Sequence, residues 1–275
     1  MVNLYKILCL TNLHVGSGEI NYSIVDNEVE RDVNGYPVIH SSGLKGALRE
    51  QAEKNQFKLV TPPDEKIKYD KAKVEAIFGQ TAGSGEIKPG SYKFFDGRLI
   101  SRPMRVSGSD SMASISVFSL ESINSFLDTI TAFGLNPFNG VKQVDKALVD
   151  FGTKDFVSKK DFVSNVNGIQ IEGEEVGALT QEAVDVLKNL ESVIGERYAI
   201  VRDLNKYNLP VIARNYLENG ISKNLWYEEV VPHGSVFYTL IITPGEENEL
   251  DMKEIKQIGG HASIGYGFTQ FIKLN

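Results

Sequence analysis

PVIARNYLENGISKNLWYEEVVP, residues 210–232, reads as two extended runs joined by Asn219-Gly220. That dipeptide between alternating residues is a strong short-range signal for a tight β-hairpin. Working outward, GSVFYTLIIT (234–243) is a core strand, NELDMKEIKQIGG (248–260) a short final helix ended by glycine, and GYGFTQFIKL (265–274) a closing strand. Before the hairpin, TQEAVDVLKNLESVIG (180–195) is a helix capped by Thr180. SLESINSFLDTITAFG (119–134) is an amphipathic helix capped by Ser119, with Leu120, Ile123, Leu127 and Ile130 at helical spacing. SYKFFDGRLISRPMRV (91–106) is a strand or a bent strand pair, and TAGSGEIKPGS (81–91) a loop. PDEKIKYDKAKVEAIF (63–78) is a helix ended by Gly79, and NLYKILCLT (3–11) is a first strand. Strands and helices mix without regular βαβ alternation, which makes the fold α+β. Residues 135–175 read as an irregular, strand-rich insertion. KDFVS occurs there twice, at 154–158 and 160–164, too little for a repeat architecture.

The 275 residues, 41% hydrophobic and 24% charged, suit one globular domain with insertions. No apolar run is long enough to span a bilayer, and the first residues lack a basic signal-peptide start. A single cysteine, Cys9, rules out an intrachain disulfide, and with the missing signal it points to the cytoplasm. The net charge of −7 excludes a uniformly basic nucleic-acid binder but not a local basic face. Charges do segregate. Lys88, Lys93, Arg98, Arg102 and Arg105 cluster with Asp96 as the one acid among them, whereas EGEEVG (172–177) and PGEENELD (244–251) are mostly acidic.

GYPVIHSSGLKGALRE (35–50) carries the clearest binding pattern. A helix is expected from about Leu44 to Lys54, with Ser41 or Ser42 as its cap. Lys45 and Arg49 are four residues apart and share one helix face. Free N–H groups and the dipole at a helix start attract anions, and Gly43 and Gly46 let a backbone approach, so the stretch suits a phosphate. The plain alternative is an ordinary capped amphipathic helix.

Three separated segments fit one family: HVGSGE (14–19), GYPVIHSSGLKGALRE, and the glycine-rich GGHASIGYGF (259–268). Together they resemble the RAMP superfamily of CRISPR proteins. Within it, VDNEVERD (25–32) before GYPVIHSSGLKGALR, and LWYEEVVP (225–232), resemble the repeated backbone subunit of the Cmr (type III-B) effector complex. The resemblance runs from about Leu4 to Phe271 and is thin over 140–195. It departs from the family's usual proline at His40, glutamine at Glu30 and lysine near Tyr266.

The resemblance implies a single domain over 1–275: a ferredoxin-like (RRM-like) palm with insertions at about 60–90 and 135–175, a hairpin thumb at about 205–231, and a glycine-rich loop at 259–267. It implies copies stacked along a guide RNA, joined by other Cmr subunits and acting on complementary target RNA, with no membrane partner. Ser41, Ser42, Lys45, Arg49, Arg214 and the loop glycines Gly259, Gly260, Gly265 and Gly267 would hold RNA by backbone contacts blind to base identity. Leu217, Ile221 and Leu225 would wedge between bases. Asp26 would orient or deprotonate a 2′-hydroxyl, or hold a loosely bound divalent metal such as Mg or Mn that does so. Products would be a 2′,3′-cyclic phosphate and a 5′-hydroxyl. His14, Glu228 and Tyr227 are further catalytic candidates, His233 and His261 sit in loops, and Trp226 is expected to be packed. Without the resemblance, Asp26 is an ordinary turn residue beside Asn27. Still open are a non-catalytic guide-binding scaffold, the equivalent type III-A backbone subunit, and a guide-processing RNase using His261.

Overall fold

The computed structural model describes residues 1–16, 25–54, 71–80, 88–109, 112–164, 169–245, 250 and 252–275. Sequence expectations for 63–70, for 81–87 and for most of the acidic run 246–251 lie outside those residues. The chain divides into two compact units: Met1–Arg98, Leu209–Val231 and Tyr238–Asn275 form one, and Leu99–Asn208 with Pro232–Phe237 the other.

In the first unit, β1 (Val2–Cys9) pairs antiparallel with the closing strand β14 (Phe268–Lys273), with Ile7 opposite Phe271. β1 alternates over its second half, with Tyr5, Ile7 and Cys9 buried and Lys6 and Leu8 less so, while Asn3 and Leu4 are buried as well. Each fully buried aliphatic side chain contributes about 2 kcal/mol. β2 (Val38–Ile39) leads into α1 (Ser41–Glu53), whose inner face is Leu44, Leu48, Gln51 and Ala52. α2 (Lys71–Phe78) stops at Gly79, whose φ of +91° favours glycine. β3 (Lys93–Phe94) pairs with Ile241 and Ile242 at the end of β12 (Val236–Ile242). The helix expected at 248–260 is not formed over its described residues. Ile255–Gln257 is instead a strand, β13, on the outer side of β14. Its isolated helix pattern lost to pairing with a strand already in place.

The second unit holds the main departure from expectation. The bent strand pair was correct: beyond β3, β4 (Gly97–Ser107) continues into this unit. It pairs with β5 (Ser114–Ser119), which lies parallel to β9 (Tyr198–Val201). β6 (Phe156–Ser158) runs antiparallel to β9 and parallel to β8 (Glu174–Ala178). β7 (Gln170–Ile171) pairs with β8 and returns to Val106 and Ser107 of β4, closing a six-stranded barrel. The stretch expected to be an irregular, strand-rich insertion does hold strands, and they are ordered enough to supply half the staves. The two copies of KDFVS take different structures: the first contains β6, the second is the helix α4 (Lys160–Ser164). Arg102, one of the clustered cations, is buried and binds the carbonyls of Leu204, Tyr207 and Asn208.

α3 (Leu120–Ala132) packs Ile123, Phe126, Leu127 and Ile130 inward. Ser119 caps it as expected, in a reciprocal box with Ser122. The helix expected at 180–195 divides into α5 (Gln181–Lys188), capped by Thr180, and α6 (Glu191–Ile194).

Finally, β10 (Val211–Glu218) and β11 (Ile221–Glu229) form the hairpin of the first unit. Asn219 and Gly220 both have positive φ, 50° and 78°, as a two-residue turn matched to strand twist requires. Removing the Ser119 hydroxyl (Ser119→Ala) is expected to cost about 1 kcal/mol. A denaturant titration would register this as a lower midpoint with unchanged slope.

Candidate functional site

The N-cap of α1 is His40, not a serine, and its side chain makes no capping bond. Asp96 does that work from outside the helix, accepting the Ser41 N–H at 2.7 Å. Ser42 stays exposed, and a Cβ at Gly43 or Gly46 would meet nothing within 4 Å. Lys45 has no partner among the described residues, so its charge is available. Arg49 is not available: its Nε donates to Glu53 at 2.7 Å and its Nη1 to the Gly79 carbonyl at 3.0 Å. It ties α1 to the end of α2. His40 and Glu30, two departures from the family pattern, are neighbours at 3.5 Å.

Asp26 lies against the base of the hairpin. Its backbone N–H donates to the Tyr227 carbonyl at 3.0 Å, and its Oδ2 accepts the Tyr227 N–H at 2.8 Å. One carboxylate oxygen is thus fixed while Oδ1 has no partner among the described residues. The flanking loop is strapped down at several points. Asn27 exchanges backbone bonds with Tyr227 and Glu229, and Val29 N–H donates to Glu229 Oε2 at 3.1 Å. Arg31 pairs with Glu229, and Glu30 N–H reaches the Val15 carbonyl. Holding a reactive group on several bonds keeps it in one geometry.

Glu228, offered as a catalytic acid or base, is occupied. Its side chain is 1% exposed. It accepts from Arg214 Nε at 2.6 Å, Trp226 Nε1 at 2.8 Å and Asn27 Nδ2 at 3.4 Å, and lies 3.2 Å from His261 Nε2. Burial on its own would raise its pKa. The Trp226 N–H, His261 and Arg214 outweigh burial and hold the carboxyl below its ordinary value. Tyr227 acts here through its backbone, with its ring on the opposite hairpin face from Trp226 and Glu228. His14 is buried. Its Nδ1 lies 2.8 Å from the Glu229 carbonyl, which can only accept, so that nitrogen carries the proton.

The loop glycines divide into two kinds. A Cβ at Gly259 would collide with the His14 carbonyl, and one at Gly267 with the Ile258 carbonyl; both have positive φ. They are needed for folding. Gly265 also has a positive φ, but it faces open space, Gly260 nearly so, and these two leave room for a ligand backbone. Arg214 is committed: beyond Glu228, its guanidinium lies over the Tyr266 ring, 4.9 Å from the centroid. Tyr266 is therefore a support for Arg214. Leu217, Ile221 and Leu225 are all exposed along the hairpin, as wedge residues must be.

The sequence profile of the RAMP superfamily matches residues 6–270, nearly the whole chain. The chain belongs to the RAMP superfamily. This RAMP protein is 26% identical to the CRISPR system Cmr endoribonuclease Cmr4 of Pyrococcus furiosus, over 98% of this chain and 94% of that one. It is likewise 26% identical to the CRISPR system CMR subunit Cmr4 of Saccharolobus solfataricus, over 100% and 97%. Among solved structures, it resembles a chain of the type III-B Cmr-beta complex bound to cognate target RNA, with a TM-score of 0.72, 21% identity, and coverage of 100% and 97%. It also resembles oligomeric Cmr4 from Pyrococcus furiosus, with a TM-score of 0.66, 22% identity, and coverage of 100% and 99%.

Sequence reasoning missed Glu229 and Arg31, which pin the Asp26 loop, and Asp96, which caps α1. It offered His261 only as a loop residue or the histidine of a guide-processing RNase, whereas it closes the ring of donors around Glu228. The signal for Trp226 and Glu228 was present, since alternate strand residues share a face. No group of three or more His, Cys, Asp or Glu side chains forms a metal site among the described residues. At the base of the hairpin, among the described residues, the open Asp26 oxygen is the carboxylate donor on hand, fewer donors than a dedicated divalent-ion cage uses.

The depressed Glu228 pKa has a pH signature. Above its unfolded-state value the carboxylate stabilises the fold fully, and that contribution drains as pH falls through the lower folded-state value. Glu228→Gln should therefore lower Tm most at neutral pH, with the gap to the parent narrowing as acid is added. Melting curves across the carboxylate range would read this; a constant gap would assign the loss to packing alone.

Proposed function

We propose that this RAMP chain is the repeated backbone subunit of a type III-B CRISPR ribonucleoprotein, an endoribonuclease that holds guide RNA and cuts complementary target RNA. The observation that carries the reading is Asp26, fixed through one oxygen at the base of an exposed apolar hairpin with its other oxygen open. In this reading the first unit is a ferredoxin-like palm and β10–β11 its thumb. Leu217, Ile221 and Leu225 enter the guide–target duplex and unstack a base step, at a cost of a few kcal/mol. The freed nucleotide can bring its 2′-oxygen in line with the adjacent phosphorus. Asp26 Oδ1 accepts the 2′-hydroxyl proton as the 2′-oxygen attacks. The bond from phosphorus to the 5′-oxygen breaks, and that oxygen takes a proton from water. A 2′,3′-cyclic phosphate and a 5′-hydroxyl result.

Guide binding is assigned to Ser42, Lys45 and the open part of the glycine-rich loop, with Ser41 contributing its hydroxyl. Arg49 and Arg214 support this surface from behind. Further copies of the chain along the guide would set the spacing of cuts, and other Cmr subunits would complete the complex. Cytoplasmic location suits the buried, unpaired Cys9, whose thiol burial pushes up to about 12. No described helix is long and apolar enough to cross a membrane.

In the assembled complex, Asp26→Ala is expected to abolish target cleavage while guide and target binding stay at parental levels. Cleavage persisting in that variant would move the chemistry elsewhere and leave this subunit a scaffold. Lys45→Ala should weaken guide binding and reduce the slope of log affinity against log salt by about 1. Arg49→Ala should instead lower thermal stability with the salt slope unchanged, which binding titrations at several salt concentrations would separate.

A further inference from the structure

Beside the start of α1 lies a cavity of about 450 Å³ that a phosphate contact leaves mostly unexplained. We propose that it takes a whole ribonucleotide, with the base inside and the phosphate at its lysine rim. The inference rests on the RNA-binding reading above and gives it a base-holding site.

The cavity is built rather than incidental. Residues 88–92 fold back onto the end of α2. Gln80 N–H bonds the Lys88 carbonyl, Ser91 N–H the Ala76 carbonyl, and Tyr92 N–H the Ile77 carbonyl. The Ser91 hydroxyl adds a second bond to Ala76 at 2.8 Å. Gly79 and Gly90 meet backbone to backbone, and a Cβ on Gly90 would collide with the Ile77 carbonyl. Arg49 clamps the same corner through Gly79. The walls are therefore in place before any ligand arrives, which lowers the cost of binding.

Its chemistry is divided. Lys45, Lys88 and Lys93 line it, and no carboxylate does among the described residues. Phe94, half-buried, forms part of the wall and is backed by Phe78, with ring centroids 5.4 Å apart and planes within 8°. The Gln80 side chain, a donor and acceptor in one group, also faces the cavity and has no partner among the described residues. A bare anion would use the lysines and leave the aromatic wall idle. An apolar ligand would use the wall and leave the lysines idle. A nucleotide uses all three: phosphate on cations, base on the aromatic ring, base edge on the carboxamide. The volume falls within the usual range of small-ligand sites, roughly 300–1,000 Å³.

The base can come from the guide or from the target, and the test separates them. Assembled complexes carry 5-iodouridine at single positions, in one series along the guide and in another along the target. They are irradiated, and the crosslinked peptides are mapped by mass spectrometry, with RNA retention measured on the same samples. Crosslinks to the peptide containing Tyr92 and Phe94 are expected in one series only, at positions recurring once per subunit. Phe94→Leu keeps the apolar packing on Phe78 but removes the π-face. It should cut that crosslink at least tenfold with RNA retention unchanged. Retained RNA whose crosslinks all map to the hairpin or the glycine-rich loop would overturn the base site, as would a crosslink indifferent to Phe94→Leu. Protection of these residues by another protein subunit, with no crosslink, would overturn it in favour of a protein contact. A parental complex that retains no RNA would instead overturn the RNA-binding reading itself.

Discussion

Burying an ionised carboxylate without partners costs on the order of several kcal/mol. Glu228 can be sealed from water only because Arg214, Trp226, Asn27 and His261 converge on it. These donors come from four places in the chain: β10, β11, the Asp26 loop and the glycine-rich loop. Satisfying one charge therefore fixes the relative positions of the segments that carry the proposed chemistry. Glu229 does the same on its other side for Val29 and Arg31. Asp26 itself contributes little to this arrangement. It is carried by it, which leaves one of its oxygens uncommitted.

Much of this was legible in the sequence where local and tertiary preferences agree. Ser119 caps a helix whose apolar face packs inward, and Asn219-Gly220 turns a hairpin, because both signals act within a few residues. The pairing of Asp26 with Tyr227 was not legible, since no local rule links residues 201 apart and the resemblance offered the two only as separate candidates. The functions of the cations were not legible. Lys45 and Arg49 are equivalent by helical spacing, yet Glu53 and the Gly79 carbonyl claim only the second. The glycine-rich loop held a similar ambiguity: glycine permits close approach whether the approaching atoms belong to RNA or to the chain itself.

The two copies of KDFVS make the limit plain. Identical residues, five positions in length, give a strand between β8 and β9 in one place and a short helix in the next. Intrinsic propensity cannot distinguish them, and only partners distant in sequence do. A helix was expected where Ile255–Gln257 forms a strand for the same reason, because the strand's template, β14, lies beyond it in the chain.

Closure of the barrel has a consequence for how such chains meet one another. A sheet with a free edge presents unpaired N–H and C=O groups that invite another chain to add a strand. In the second unit β7 returns to β4, so the sheet consumes its own edges. Here that route is closed within the second unit, while in the first unit β13, at the end of its sheet, and the two-stranded β10–β11 hairpin keep edges of this kind.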